Sequence, residues 1–154
     1  MCGIVGVIKH KDKSWSFSDT TIFKELLIAD SIRGQDSTGA VLVHSSGNAD
    51  YLKLSTHPYN LVQSKEFDSL TTKAFEHGQI LFGHNRKATQ GSISNDNAHP
   101  FVFGNTLLVH NGNIDNYQET LVEKEDDYKW NLGTVVKNLE EEYIKLCREH
   151  DERV

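Results

Sequence analysis

Cysteine is scarce in this chain: Cys2 and Cys147 are the two among 154 residues. Two thiols cannot frame a disulfide-knit secreted domain, and their low number points to a reducing, cytoplasmic compartment. Proline is equally scarce, and no Pro/Gly/Ser-rich linker, repeat or low-complexity tract divides the sequence, so a single domain over residues 1–154 is expected. No apolar run approaches the ~18–20 residues of a membrane helix. The opening MCGIVGVIKHKDK has no basic segment before its apolar stretch and no small-residue cleavage site after it, so neither a signal peptide nor a membrane partner is expected. Excess positive charge is also missing. With 22 acids against 16 bases the net charge is −6, which gives no electrostatic reason to bind nucleic acid. What remains is 37% apolar residues, enough to build a core at this length.

The apolar pattern outlines the elements. Ile4, Val5, Val7 and Ile8 predict a short buried strand over 3–9. Ser18 and Asp19 offer N-caps ahead of Ile22, Phe23, Leu26, Leu27 and Ile32, which recur at helical spacing. Residues 40–44 and 50–54 flank Ser46-Gly47-Asn48 and predict a hairpin. Residues 60–76 have only weak helical spacing, in Leu61, Phe67, Leu70 and Ala74. Two more strands are expected over 79–84 and 106–110. The clearest helix begins near Leu132 and runs through Val135, Val136, Leu139, Tyr143, Leu146 and Cys147, a stripe that makes Cys147 a structural thiol. Strands outnumber helices without strict alternation, so the expected class is α+β, with helices covering antiparallel sheets.

Five segments stand out. Once Met1 is removed, Cys2 has a thiol beside a free α-amine, so one residue would supply both nucleophile and base. Taken alone, Cys2 also fits a chance cysteine. In Gly83-His84-Asn85-Arg86-Lys87-Ala88-Thr89-Gln90-Gly91, Arg86 and Thr89 leave a strand end three residues apart. They could grip a carboxylate, or form an ordinary surface turn. In Val109-His110-Asn111-Gly112-Asn113, Asn-Gly is first a turn signal, yet an Asn amide and a following N–H could make an oxyanion hole. Between these two, His99 of Ala98-His99-Pro100 could be a base or a loop anchor. Ile32 to Gly39 reads as a compact helix-to-strand turn held by Asp36 and Ser37 side chains.

Together and in this order, Met-Cys-Gly-Ile-Val-Gly, Arg-Gly-Gln-Asp-Ser-Thr-Gly, Gly-His-Asn-Arg-Lys-Ala-Thr-Gln-Gly, Ala-His-Pro-Phe and Val-His-Asn-Gly-Asn-Ile resemble the class II glutamine amidotransferases. The resemblance covers Cys2 to about Asn116. It implies an Ntn-hydrolase-like αββα sandwich of two antiparallel sheets between helical layers. It also implies hydrolysis of glutamine, with ammonia passed to a synthase partner or a further domain, and requires no metal or cofactor. By the resemblance, Cys2 is the nucleophile, Asn111 and Gly112 form the oxyanion hole, Arg86 grips the substrate α-carboxylate and Thr89 is its hydrogen-bonding neighbour. Lys87 stands at the rim of the same substrate-binding stretch, where one branch of the family has an aromatic, and Gln90 stands where it has a histidine. Arg33 and Asp36 match a motif that orders the nucleophile's surroundings.

Besides Lys87 and Gln90, two features depart from the family. Leu132 aligns where an Asp should hold the substrate ammonium, and Asp126 and Asp127 just upstream could substitute for it. The chain also ends at Val154, earlier than the family's domain usually does, so a shortened or minimal domain is expected. Two functions follow: an active glutaminase, or a degenerate member that binds a ligand or protein without turnover.

Overall fold

A computed structural model describes residues 2–10 and 12–112. The predicted helix near Leu132, with Cys147, Asp126 and Asp127, lies outside the described residues. The described part has a four-stranded antiparallel sheet in the order β1-β4-β2-β3. Its strands are β1 (Gly3–Ile8), β2 (Ser37–His44), β3 (Ala49–Leu54) and β4 (Gly78–Arg86). The helices are α1 (Phe17–Ala29), α2 (Pro58–Leu61) and α3 (Lys65–His77), and a 3-10 turn at Asp30–Ile32 follows α1. Residues 101–108 belong to a separate unit and form an antiparallel hairpin of β5 (Phe101–Phe103) and β6 (Thr106–Leu108). The α+β class with antiparallel sheets is thus present.

Register explains where the core lies. Val5 and Val7 of β1, Leu81 of β4, Ala40 and Leu42 of β2, and Leu52 and Leu54 of β3 share one face, because side chains alternate along a strand. Helix α1 packs against β1 and β4, and α3 against β2, β3 and β4. Phe23 and Leu27 of α1 and Phe67, Leu70 and Ala74 of α3 meet these residues in one apolar cluster. The Phe23 and Phe67 rings stack with centroids 6.1 Å apart. Fully burying a side chain such as Phe23 or Leu27 contributes ~1.5–3 kcal/mol.

The structure corrects several sequence expectations. The strand at 3–9 is only half-buried: β1 is an edge strand whose Val5 and Val7 pack against the core while Ile4 and Ile8 are 48% and 73% exposed. Helix α1 is capped two residues earlier than expected. Ser16 Oγ accepts from the Asp19 N–H while Asp19 Oδ2 accepts from the Ser16 N–H at 2.7 Å, a capping box with Asp in its acidic position. Asp19 is held down at about 2, first by the Ser16 hydroxyl and then by Lys9 at 2.9 Å. The weakly patterned 60–76 stretch is helical in two pieces. His57 and Ser64 cap them, and Pro58 opens the first. The hairpin stands as expected, with Gly47 at φ 88° in its turn. Its first strand starts at Ser37, so Ser37 and Thr38 belong to the sheet and not to a turn. Strand 106–110 ends at Leu108, and its partner β5 was not expected. No helix among the described residues is long and apolar enough to cross a membrane.

Candidate active site

Cys2 sits at the open end of β1, beside the last residues of the central strand β4. Gly3 pairs with Asn85, and on the other side of β4 Ser37 pairs with Arg86. Three contacts fix Cys2. Its backbone N–H donates to Asn111 Oδ1 at 3.1 Å, its carbonyl accepts from Arg33 Nε at 3.0 Å, and its Sγ lies 3.8 Å from the Lys87 carbonyl oxygen. The thiol is partly exposed. With Oδ1 turned to Cys2, the Asn111 amide keeps its Nδ2 hydrogens as donors. The backbone around Asn111 and Gly112 is exposed. A Cβ on Gly112 would come within 2.9 Å of His110 Nε2, so glycine lets this backbone pass close to the ring.

Arg86 ends β4 and is 9% exposed. Its guanidinium reaches forward to its own loop, with Nη1 donating to the Ser92 carbonyl at 3.2 Å and Nη2 to the Gln90 carbonyl at 2.5 Å. These bonds use two of its five N–H donors. Lys87 and Thr89 lie on the exposed stretch that follows. Asp36 ties that stretch down: its Oδ2 accepts from the Ala88 N–H at 2.7 Å and lies 3.4 Å from Lys87 Nζ, while its own N–H donates to the Arg86 carbonyl. Gly34 passes so close to Arg86 that a Cβ there would lie 2.5 Å from the Arg86 carbonyl carbon. The Arg33–Asp36 segment therefore holds Cys2 on one side and the Lys87–Thr89 stretch on the other. The expected turn bond from Ser37 is absent. Its side chain is buried in the sheet, and Ser37 Oγ, His84 Nδ1 and Asn85 Oδ1 are buried with no hydrogen-bond partner among the described residues.

His99 is a loop anchor. It is 7% exposed and its Nδ1 accepts from the His110 N–H at 3.2 Å. The peptide between His99 and Pro100 is cis, and a Cβ on Gly39 would run into the His99 carbonyl oxygen. Sequence reasoning passed over two residues here. His84 Nε2 lies 3.0 Å from the His110 carbonyl oxygen. Asp30 fills the space beside Gly3, where a Cβ would collide with its carboxylate, and accepts from Asn85 Nδ2 at 3.2 Å. Burial pushes the Asp30 carboxyl above its ordinary range, against the opposing pull of Asn85 and Arg33. The sequence signal for the histidines was their repetition at three motif positions, 84, 99 and 110. Among the described residues, no group of three or more His, Cys, Asp or Glu side chains is placed to hold a metal ion.

Comparison with known proteins places this arrangement in a family. Residues 1–147 match the family described as class-II glutamine amidotransferases. The chain belongs to that family. Among its relatives, a glutamine–fructose-6-phosphate aminotransferase (isomerizing) of Sulfurisphaera tokodaii is 32% identical over 152 residues, which is 94% of this chain and 24% of that protein. Proteins of the same name from Pectobacterium atrosepticum and Escherichia coli K12 are 35% and 36% identical over 118 residues, 77% of this chain and 17% of each of theirs. The chain thus spans about a quarter or less of the length of these relatives.

Proposed function

We propose that this chain hydrolyses glutamine to glutamate and ammonia through Cys2 and delivers the ammonia to an acceptor on a synthase partner or a further domain. The observation that carries the reading is the bond from the Cys2 nitrogen to Asn111 Oδ1, which joins the nucleophile to residues 109 positions away. In the reaction, loss of Met1 frees the Cys2 amine. The Cys2 thiolate adds to the glutamine amide carbonyl, and the developing oxyanion is met by the Asn111 amide and the Gly112 N–H. The amine passes the thiol proton to the leaving nitrogen, so ammonia departs and a γ-glutamyl thioester remains. Water then adds to the thioester, the C–S bond breaks, glutamate is released and the Cys2 thiol is regenerated. Arg86 supplies the charge for the substrate α-carboxylate, with Lys87 and Thr89 at the edge of the same pocket. The relatives bear the name of an enzyme that uses fructose 6-phosphate, which makes a sugar phosphate the first acceptor to try. The reaction needs no cofactor, and the cytoplasm is the compartment that keeps Cys2 reduced.

The test is ammonia release from glutamine by protein lacking Met1. Cys2→Ser is expected to abolish it, because a hydroxyl is a far poorer nucleophile at neutral pH. Asn111→Ala should lower kcat on the order of 10²-fold, because its amide meets charge that develops only in the transition state. Arg86→Ala should chiefly raise KM, because a carboxylate clamp acts equally in the ground state. Ammonia release that survives in Cys2→Ser would refute the assignment. No release at any glutamine concentration would leave a binding module in its place, the outcome that Leu132 in the position of the expected Asp would explain.

A further inference from the structure

Both backbone polar groups of His110, the residue before Asn111, are held by imidazoles from two other segments. His84 comes from the middle of the sheet on β4, and His99 from the end of the loop that follows it. The His110 amide can only donate, so His99 Nδ1, 3.2 Å away, must be its bare nitrogen. The His110 carbonyl can only accept, so His84 Nε2, 3.0 Å away, must carry a proton. Neutral His84 then has a bare Nδ1, which is the buried nitrogen without a partner. Each ring is thereby assigned the same Nε2–H form, by one donor and one acceptor of a single residue. The rings face each other with centroids 3.9 Å apart, and the side chains are 1% and 7% exposed. The charged and titratable groups around them are Arg86, His110 and, toward His99, Lys53. All are cationic or able to become so: Arg86 and His110 oppose a positive charge on both rings, and Lys53 and His84 oppose one on His99.

We propose that His84 and His99 are positioning residues: as neutral Nε2–H imidazoles they clamp the two peptide groups of His110 and thereby aim Asn111 and Gly112 at the reacting carbonyl oxygen. The inference rests on the glutaminase reading, and it names what holds the oxyanion segment in place. Neither ring has to touch the substrate for this role. One side of the Asn111 backbone is tied through His110 to the sheet and the loop, and its side chain is tied to Cys2. A shift of the clamp would therefore misplace the donors relative to the nucleophile, and displacements of about 1 Å cost on the order of 10²-fold in rate.

The two bonds call for different replacements. His99→Asn keeps an acceptor oxygen near the Nδ1 position, whereas His99→Ala removes it. His84→Gln keeps an amide donor near the Nε2 position, whereas His84→Asn is too short to reach. In Met1-free protein, His99→Ala and His84→Asn are expected to lose kcat on the order of 10²-fold with KM for glutamine about unchanged, while His99→Asn and His84→Gln recover most of it. Equal impairment within each pair, a KM that moves with kcat, or no impairment in any variant would overturn the proposal. Nitrogen NMR of the histidine-labelled parent protein reads the clamp without turnover. Both rings should have a bare Nδ1 and a protonated Nε2 at neutral pH, and an Nδ1–H form in either ring overturns the clamp even in an active enzyme. If the parent protein releases no ammonia, the glutaminase reading fails, and the positioning role fails with it, whatever the tautomers.

Discussion

Strands β2 and β4 lie side by side along their whole length, yet their two ends are built from opposite chemistry. Toward one end, Leu42 and Leu81 are fully buried against aromatic and aliphatic side chains of the helices. Around Ser37, Thr38, His84, Asn85 and Arg86 the pair is also buried, but the side chains are polar. Three atoms at that end have no hydrogen-bond partner among the described residues, and each such buried atom costs ~1–3 kcal/mol. The apolar end offsets this cost. The same two strands thus concentrate stability at one end and fix a costly polar constellation at the other, beside Cys2. Their central place in the sheet makes this possible, because β1 and β3 brace them from outside.

Cutting into the apolar end should separate the two roles most sharply. Phe23→Ala is expected to destabilise the fold by ~3–5 kcal/mol, read as a fall in the urea midpoint. Turnover per folded molecule should stay about constant. Turnover that falls in native conditions, with the fold intact, would mean that the two ends are not independent.

Acid should attack the opposite end. Burial lowers His84 to about 4, aided by Arg86 and His110 against the bond to the His110 carbonyl. Burial, then His84 and Arg86, lowers His99 to about 2. Both lie below the ordinary histidine value near 6.5, so the unfolded chain takes up protons that the folded chain refuses. Stability from these two groups is complete above about pH 6.5 and falls as the pH drops toward their folded values. At pH 5 each neutral ring accounts for a loss of ~2 kcal/mol. Urea midpoints at pH 7 and pH 5 measure this, and a His84→Gln, His99→Asn double variant should flatten the difference. An unchanged difference would show that other groups carry it.

The smallest effect is expected at the start of α1. Ser16→Ala removes the capping hydroxyl of α1 and should cost ~1 kcal/mol, with no change in turnover. A thermal melt reads it, and an unchanged melting temperature would deny the cap its role.

Much of this comparison was legible in the sequence, and the misses have physical causes. The hairpin showed itself through the runs at 40–44 and 50–54 that flank Ser46-Gly47-Asn48, because its turn is local. Strand β1 was found but read as buried: its apolar run is continuous, and nothing local reveals that it is an edge strand. The α1 cap was misplaced because Ser18 and Asp19 look as good as Ser16, and only the reciprocal Ser16–Asp19 bonds decide. Helix α3 was blurred because its buried residues are just Phe67, Leu70 and Ala74 among charged neighbours. Asn111 and Arg86 stood out through their motifs. The role of His84 did not, because its bond to the His110 carbonyl joins residues 26 positions apart. Nor did the tightness at Gly34 and Gly39, where the colliding atoms come from Arg86 and His99.

The central claim is that Cys2 and Asn111, brought together at the end of the sheet, form a reaction centre. The most direct measurement is mass spectrometry of Met1-free protein quenched in acid while it turns over glutamine. The account predicts a γ-glutamyl group on the peptide that begins at Cys2, lost again as the thioester hydrolyses, and absent in Cys2→Ser. Ammonia release with the adduct on any other residue, or no adduct and no ammonia at high glutamine, would contradict it.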